Sequence, residues 1–294
     1  MDSPQKPPLD RTNFVFDFYG TLVDVRTDEN KPSLWRFMAD WYAVHGCLLS
    51  PEALRDAFWQ AEKGEREALR RQTGLECPEI RIERVFLRLL LDSPARACSL
   101  PLDGTPVEQW RTRYALHPDS ALHILQDGEW ARATARAFRI LSRDWLRPYP
   151  DSVSTLGELV RRGKRLFLLS NAQAVFTRPE ISQTGLDQFF PAPFLSSEWG
   201  MAKPQREFLD ALLRRENLDP GDTVVVGNEM RSDMAIAVRC GTAAVFLDSA
   251  SLPHGNAQND FQRLLSAENA APSGHPLLIA DHLGDLLREP RPAG

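Results

Sequence analysis

The feature that most limits what this chain can fold into is a set of short apolar runs that do not alternate with polar residues. Phe14-Val15-Phe16 is the first, closed by Asp17. Leu166-Phe167-Leu168-Leu169 leads to Ser170, and Val224-Val225-Val226 leads to Gly227. Residues 243–247 and 276–280 complete the set. A strand with one wet face alternates apolar and polar side chains, so runs apolar throughout are expected in parallel strands covered on both faces. Between the later runs the pattern is helical, over residues 151–162, 204–216 and 232–239. Gly163 and Gly241 follow the first and last of these, where a left-handed residue ends a helix. Strand and helix in repeated order predict an α/β fold with a doubly wound parallel sheet.

A long helical stretch parts the first run from the others. Ser50-Pro51-Glu52 is a helix start, with a serine cap and proline in the first turn. Ile82, Val85, Phe86, Leu89 and Leu90 share one face at helical spacing. So do Trp130, Thr134, Ala137, Phe138, Leu141 and Trp145, and such aromatic stripes are core material. Residues 92–120, punctuated by proline, read as an extended loop, and residues 249–274 as a polar surface excursion. The expected division is a core of residues 1–24 and 147–294 with an inserted helical domain at 25–146. Residues 23–26 and 145–150 would be its hinges.

Composition narrows the function classes. At 294 residues and 43% hydrophobic the chain can bury a sizeable core. The net charge of -5 and scattered basic residues argue against a nucleic-acid partner. No apolar run is long enough to span a bilayer, and residues 1–10 lack the apolar stretch of a secretory signal, so no membrane is expected. Cys47, Cys77, Cys98 and Cys240 lie apart without CxxC spacing, as reduced thiols of a cytoplasmic protein do. Nothing in the sequence fixes an oligomeric state.

Four polar segments follow strand-like runs: Asp17, Ser170-Asn171, Lys203 and the Gly227-Asn228-Glu229 turn with Asp233 beyond. In a parallel sheet the carboxyl ends of the strands share one crevice. A carboxylate, a hydroxyl, an ammonium and an acid/amide pair gathered there suit Mg²⁺-assisted phosphoryl chemistry. The order and spacing resemble the haloacid dehalogenase superfamily of hydrolases, with a helical cap inserted after the first motif. The motifs are Asp17-Phe18-Tyr19-Gly20-Thr21, Leu168-Leu169-Ser170-Asn171-Ala172, Lys203, and Gly227 through Asp233. The resemblance implies a phosphatase acting on a small phosphorylated metabolite. Asp17 would be the nucleophile that forms an aspartyl-phosphate. Ser170, the backbone N–H of Asn171 and Lys203 would hold the phosphoryl group. Asp17, the Tyr19 carbonyl, Asn228 and Asp233 would hold Mg²⁺.

Two residues depart from the phosphatase pattern. The residue two beyond the nucleophile is usually a second aspartate, which protonates the leaving oxygen and later activates water. Here it is Tyr19, and a phenol of pKa ~10 is a poor substitute at neutral pH. Asn228 stands where many phosphatases carry aspartate. A tyrosine at position 19 is similar to the L-2-haloacid dehalogenases, in which aspartate attacks carbon without metal and halide leaves unprotonated. Their tyrosine a few residues after the lysine is absent, since 205–209 reads Gln-Arg-Glu-Phe-Leu. A non-catalytic binding protein on the same fold is the third reading. Tyr19 itself is either a packed aromatic or a direct participant.

Overall fold

A computed structural model of the chain describes residues 6–248 and 257–287. Along the chain come β1 (Asn13–Phe16), β2 (Val23–Thr27), α1 (Pro32–Val44), α2 (Pro51–Thr73), α3 (Ile82–Asp92), β3 (Pro101–Leu102), β4 (Thr105–Pro106), α4 (Val107–Leu116), α5 (Pro118–Leu125), α6 (Glu129–Ser142) and β5 (Arg143–Pro148). There follow α7 (Ser152–Arg161), β6 (Arg165–Ser170), α8 (Ala174–Gln183), β7 (Phe194–Leu195), α9 (Ser196–Trp199), α10 (Arg206–Glu216), β8 (Thr223–Gly227), α11 (Ala235–Cys240), β9 (Ala243–Leu247), α12 (Ala257–Ala267) and β10 (Leu277–Ala280). The chain divides into two compact units, Met1–Val25 with Leu146–Ala172 and Pro179–Gly294, and Arg26–Trp145 with Gln173–Arg178.

The first unit is built on a six-stranded sheet in the order β10-β9-β8-β1-β6-β7, with parallel pairing throughout. β1 is central: Phe16 lies opposite Leu168 of β6 and Val226 of β8. Val15, Leu169, Val225 and Phe246 pack with Phe208 and Leu212 of α10, Ile236 of α11 and Phe261 of α12. The alternate residues Phe14, Phe16, Leu168, Val224 and Val226 face the other way and are also buried. Burial on both faces is why these strands read as unbroken apolar runs, and each such side chain contributes about 1.5–3 kcal/mol.

The second unit is helical. Ser50 Oγ accepts the Ala53 N–H at 3.2 Å to cap α2, and Gly74 ends it at φ +68°. Trp35, Phe58, Phe86 and Phe138, from α1, α2, α3 and α6, form its aromatic centre at centroid separations of 5.1 to 5.8 Å. Gln173–Arg178 belongs here and not, as the sequence suggested, to the core. The Gln173 side chain accepts the Ile82 N–H at 2.9 Å and donates to Ile80 O at 3.0 Å, and Val175 is buried among the helices.

Three expectations change. Residues 92–120 hold the β3–β4 hairpin, α4 and the start of α5 rather than an extended loop. Pro106 and Pro118 stand where helices begin, a position that needs no N–H. The α6 stripe stops at Ser142, so Trp145 lies in β5, 38% exposed. In the excursion at 249–274, α12 buries Ala257, Phe261 and Leu265 at four-residue spacing, while residues 249–256 lie outside the described residues.

Candidate active site

All of the site geometry lies within the sheet-containing unit. The ladder continues one step past β1, because the Asp17 N–H donates to Val226 O at 2.9 Å. That bond fixes Asp17 at the carboxyl edge of the sheet, where open α/β folds bind ligands. The loop then turns back at once: Leu22 and Val23 N–H both donate to Phe18 O, at 2.9 and 3.1 Å. Gly20 sits in the loop at φ +77°, and a Cβ there would come within 2.5 Å of Asn228 Nδ2. Only glycine meets both demands.

Lys203 ties the acids together. Its Nζ donates to Asp17 Oδ1 at 2.7 Å and to Asp233 Oδ1 at 2.6 Å. Ser170 Oγ donates to the same Asp17 oxygen at 2.9 Å. Asp233 Oδ2 accepts the N–H groups of Asn228 and Glu229 at 3.1 and 3.0 Å. Gly227 permits this fold-back, since a Cβ on it would lie 2.3 Å from Asp233 Cγ. Lys203, Ser170 and Asp233 are buried, and Asp17 is 9% exposed.

The charges shift one another. Burial alone would lower the Lys203 ammonium, but the carboxylates of Asp17 and Asp233 outweigh it and hold it well above its ordinary range. Burial pushes Asp233 up, to about 6, and the Asp17 charge adds to this, while Lys203 pulls the other way. At neutral pH Asp233 is therefore a carboxylate paired with the Lys203 ammonium.

Asn171 positions the lysine from behind. Its Oδ1 accepts the Lys203 N–H at 2.7 Å and its Nδ2 donates to Lys203 O at 2.9 Å. This side-chain clamp leaves the Asn171 backbone N–H to the phosphate contact expected of it. Ser196 Oγ accepts the Ala172 N–H at 2.8 Å, which pins the chain after β6.

Asp17, Tyr19, Ser170, Asn171, Lys203, Asn228, Glu229 and Ser232 line a cavity of about 370 Å³. Thr21 Oγ1 donates to Asn228 Oδ1 at 3.2 Å, and Ser232 Oγ to Glu229 Oε2 at 2.7 Å. The Tyr19 hydroxyl donates to Glu180 Oε2 at 2.5 Å, and Glu180 is 2% exposed.

A sequence model of the haloacid dehalogenase-like hydrolase family matches residues 12–241. The chain belongs to that family. It is similar to a glyceraldehyde 3-phosphate phosphatase from Methanothermobacter thermautotrophicus, 33% identical over 104 residues, which are 35% of this chain and 46% of the relative. It is also similar to the Escherichia coli pyrimidine 5'-nucleotidase YjjG, 28% identical over 103 residues, which are 35% of this chain and 45% of the relative. The chain thus spans less than half the length of these two curated relatives. Among solved structures, the L-2-haloacid dehalogenase from Xanthobacter autotrophicus aligns over 94% of this chain and 96% of its own, at 19% identity and TM-score 0.45.

Within this haloacid dehalogenase-like hydrolase, six of the seven residues picked from the sequence line the cavity: Asp17, Tyr19, Ser170, Asn171, Lys203 and Asn228. Asp233 stands behind Lys203, with both oxygens engaged by N–H donors. Among the described residues no three His, Cys, Asp or Glu side chains gather as a metal cage. The remaining oxygen donors still fit magnesium, a hard cation that keeps several waters and needs few protein oxygens. The Asn228 amide oxygen accepts one hydrogen bond, from Thr21, which leaves it a lone pair for such an ion. Glu180 escaped the sequence reading because nothing in the spacing of α8 marks it. Ser232 was passed over inside its own motif.

Proposed function

We propose that this hydrolase is a phosphatase that cleaves a small phosphorylated metabolite through a phosphorylated Asp17. The observation that carries the reading is the division of labour on Asp17. Ser170 and Lys203 hold Oδ1, which leaves Oδ2 to act as the nucleophile. An ammonium has three N–H donors and Lys203 uses two on the acids, so the third can meet a phosphoryl oxygen. Ser170 can turn its hydroxyl to the same group. Asn171, by fixing the Lys203 backbone, keeps Nζ at that point. The names of the curated relatives support phosphate chemistry, while their substrates remain theirs.

Mg²⁺ belongs to this reading as the cofactor, held by Asp17, the Tyr19 carbonyl and Asn228. When bound it would supply positive charge against the phosphoryl oxygens. Asp233 serves it indirectly, by anchoring Lys203 and the Asn228 turn. The helical unit is the proposed cap of the core, and the proposed setting is cytoplasmic.

The test is phosphate release from a panel of phosphorylated metabolites, with and without Mg²⁺ and after chelation. Metal-dependent turnover that falls about 1,000-fold or more in Asp17→Asn is expected, which corresponds to about 4 kcal/mol of barrier. Tyr19 also keeps the carbon-centred reading in view. Metal-independent halide release from 2-chloropropionate, without phosphate release from the panel, would replace the phosphatase by a dehalogenase.

A further inference from the structure

We propose that this site acts on phosphoryl compounds whose leaving oxygen departs as an anion, such as carboxylic–phosphoric anhydrides and aryl phosphates, in preference to alkyl esters. The inference deepens the phosphatase reading and rests on it.

It comes from asking which side chain on the cavity wall could hand a proton to a leaving oxygen. Tyr19 stands where the acid is expected, but a phenol has one proton. That proton is given to Glu180 in a 2.5 Å bond, and Glu180 is 2% exposed. Turning it toward a substrate breaks that bond to a buried carboxyl group. The other hydroxyls, Ser170 on Asp17 and Ser232 on Glu229, belong to serines, which donate hydrogen bonds but are too weakly acidic to surrender a proton. Glu229 accepts the Ser232 hydroxyl at 2.7 Å. The amides of Asn171 and Asn228 are not acids. Lys203 spends two of its N–H bonds on the carboxylates of Asp17 and Asp233, so it stabilises charge rather than yielding a proton. In the proposed function the wall holds a phosphoryl group and offers a nucleophile, yet among the described residues no group on it is set to protonate the leaving atom.

The chemistry closes without such a group when the leaving oxygen belongs to a strong enough acid. Asp17 Oδ2 bonds to phosphorus as the bond to the leaving oxygen breaks. That oxygen keeps the electron pair and departs as a carboxylate or phenolate. Water then bonds to phosphorus and the bond to Asp17 breaks, with its pair returning to the carboxylate. One water proton stays on the released phosphate and the other goes to solvent. An alkyl ester would have to expel an alkoxide, for which general acid catalysis supplies about 10²–10⁴-fold in enzymes that have it.

The experiment is a leaving-group series on the full chain with Mg²⁺: acetyl phosphate, aryl phosphates spanning a range of phenol acidity, and simple alkyl phosphates. We expect the logarithm of kcat/KM to fall steeply with leaving-group pKa, and alkyl phosphates to lie at least about 100-fold below the best aryl phosphate. Tyr19→Asp, which places an acid at that position, should raise the ratio of alkyl to acetyl phosphate turnover by about 100-fold. A flat series in the unaltered protein overturns the proposal even if the variant fails to fold, because it demands an acid on the wall. A Tyr19→Asp variant that folds and leaves the alkyl-to-acetyl ratio unmoved also counts against it. Absence of phosphate from every member, acetyl phosphate included, is a different result and removes the phosphatase reading itself.

Discussion

Replacing Lys203 by methionine tests the charge arrangement independently of turnover. The substitution keeps most of the side-chain volume and removes the ammonium that sits 2.7 Å from Asp17 and 2.6 Å from Asp233. Breaking a buried ion pair from one side costs roughly 3–5 kcal/mol, because the remaining charges are left uncompensated. The pH dependence gives the sharper signature. Asp233 titrates at about 6 in the folded chain, above its ordinary 3.8. Stability tied to it is therefore fully present below pH 3.8 and is lost as pH rises through about 6. Without the ammonium, only the Asn228 and Glu229 N–H groups oppose burial and the Asp17 charge, so the folded value rises further and the loss extends to higher pH. The variant should then lose about 1.4 kcal/mol more than the parent for each pH unit above 6, or roughly 3 kcal/mol by pH 8. Urea unfolding of both proteins at pH 5, 6, 7 and 8, followed by circular dichroism, reads the difference directly. A gap that stays constant across this range, or stays under about 1 kcal/mol at pH 8, would refute the reasoning.

Gly227→Ala places a Cβ 2.3 Å from Asp233 Cγ, so it should cost about 1–3 kcal/mol in urea unfolding and displace the carboxylate from its two N–H donors. Asn228→Asp adds a charge at the proposed metal position. The Mg²⁺ concentration for half-maximal binding, measured by calorimetry, should fall about tenfold, equivalent to about 1.4 kcal/mol; an unchanged or weaker affinity counts against Asn228 as a ligand. Phe86→Ala empties the aromatic centre between Phe58 and Phe138, at 5.5 and 5.3 Å, and should destabilise the helical unit by about 3–5 kcal/mol in thermal or urea unfolding.

The strands that carry the site were legible because burial on both faces leaves an unbroken apolar run, and because Asp17, Ser170 and Asn228 stand at or just past the ends of β1, β6 and β8. Parallel pairing then brings together residues far apart in sequence. Helix starts were less legible where proline did two jobs. Pro106 and Pro118 looked like breakers, yet each stands at the start of a helix. Asp103-Gly104, both at positive φ, is a two-residue hairpin signal inside a stretch whose prolines suggest a loop. The membership of Gln173–Arg178 in the helical unit goes with the Gln173 side chain bonding to residues 80 and 82 and with Val175 packing among the helices, and no periodicity reports that. The same limit hid Glu180, and it hid the two backbone N–H groups that occupy Asp233. Sequence spacing identifies which residues reach the crevice. It does not tell which of their atoms are already engaged.

The central claim is that Asp17 takes the phosphoryl group covalently. The most direct measurement is to quench a single turnover of acetyl phosphate with borohydride, which reduces an aspartyl-phosphate to homoserine, and to read residue 17 by peptide mass spectrometry. A parallel turnover in heavy-oxygen water follows the label. The account predicts homoserine at position 17, with solvent oxygen in the released phosphate and none in Asp17. Phosphate release with residue 17 unmodified, or solvent oxygen incorporated into the Asp17 carboxylate, would contradict it.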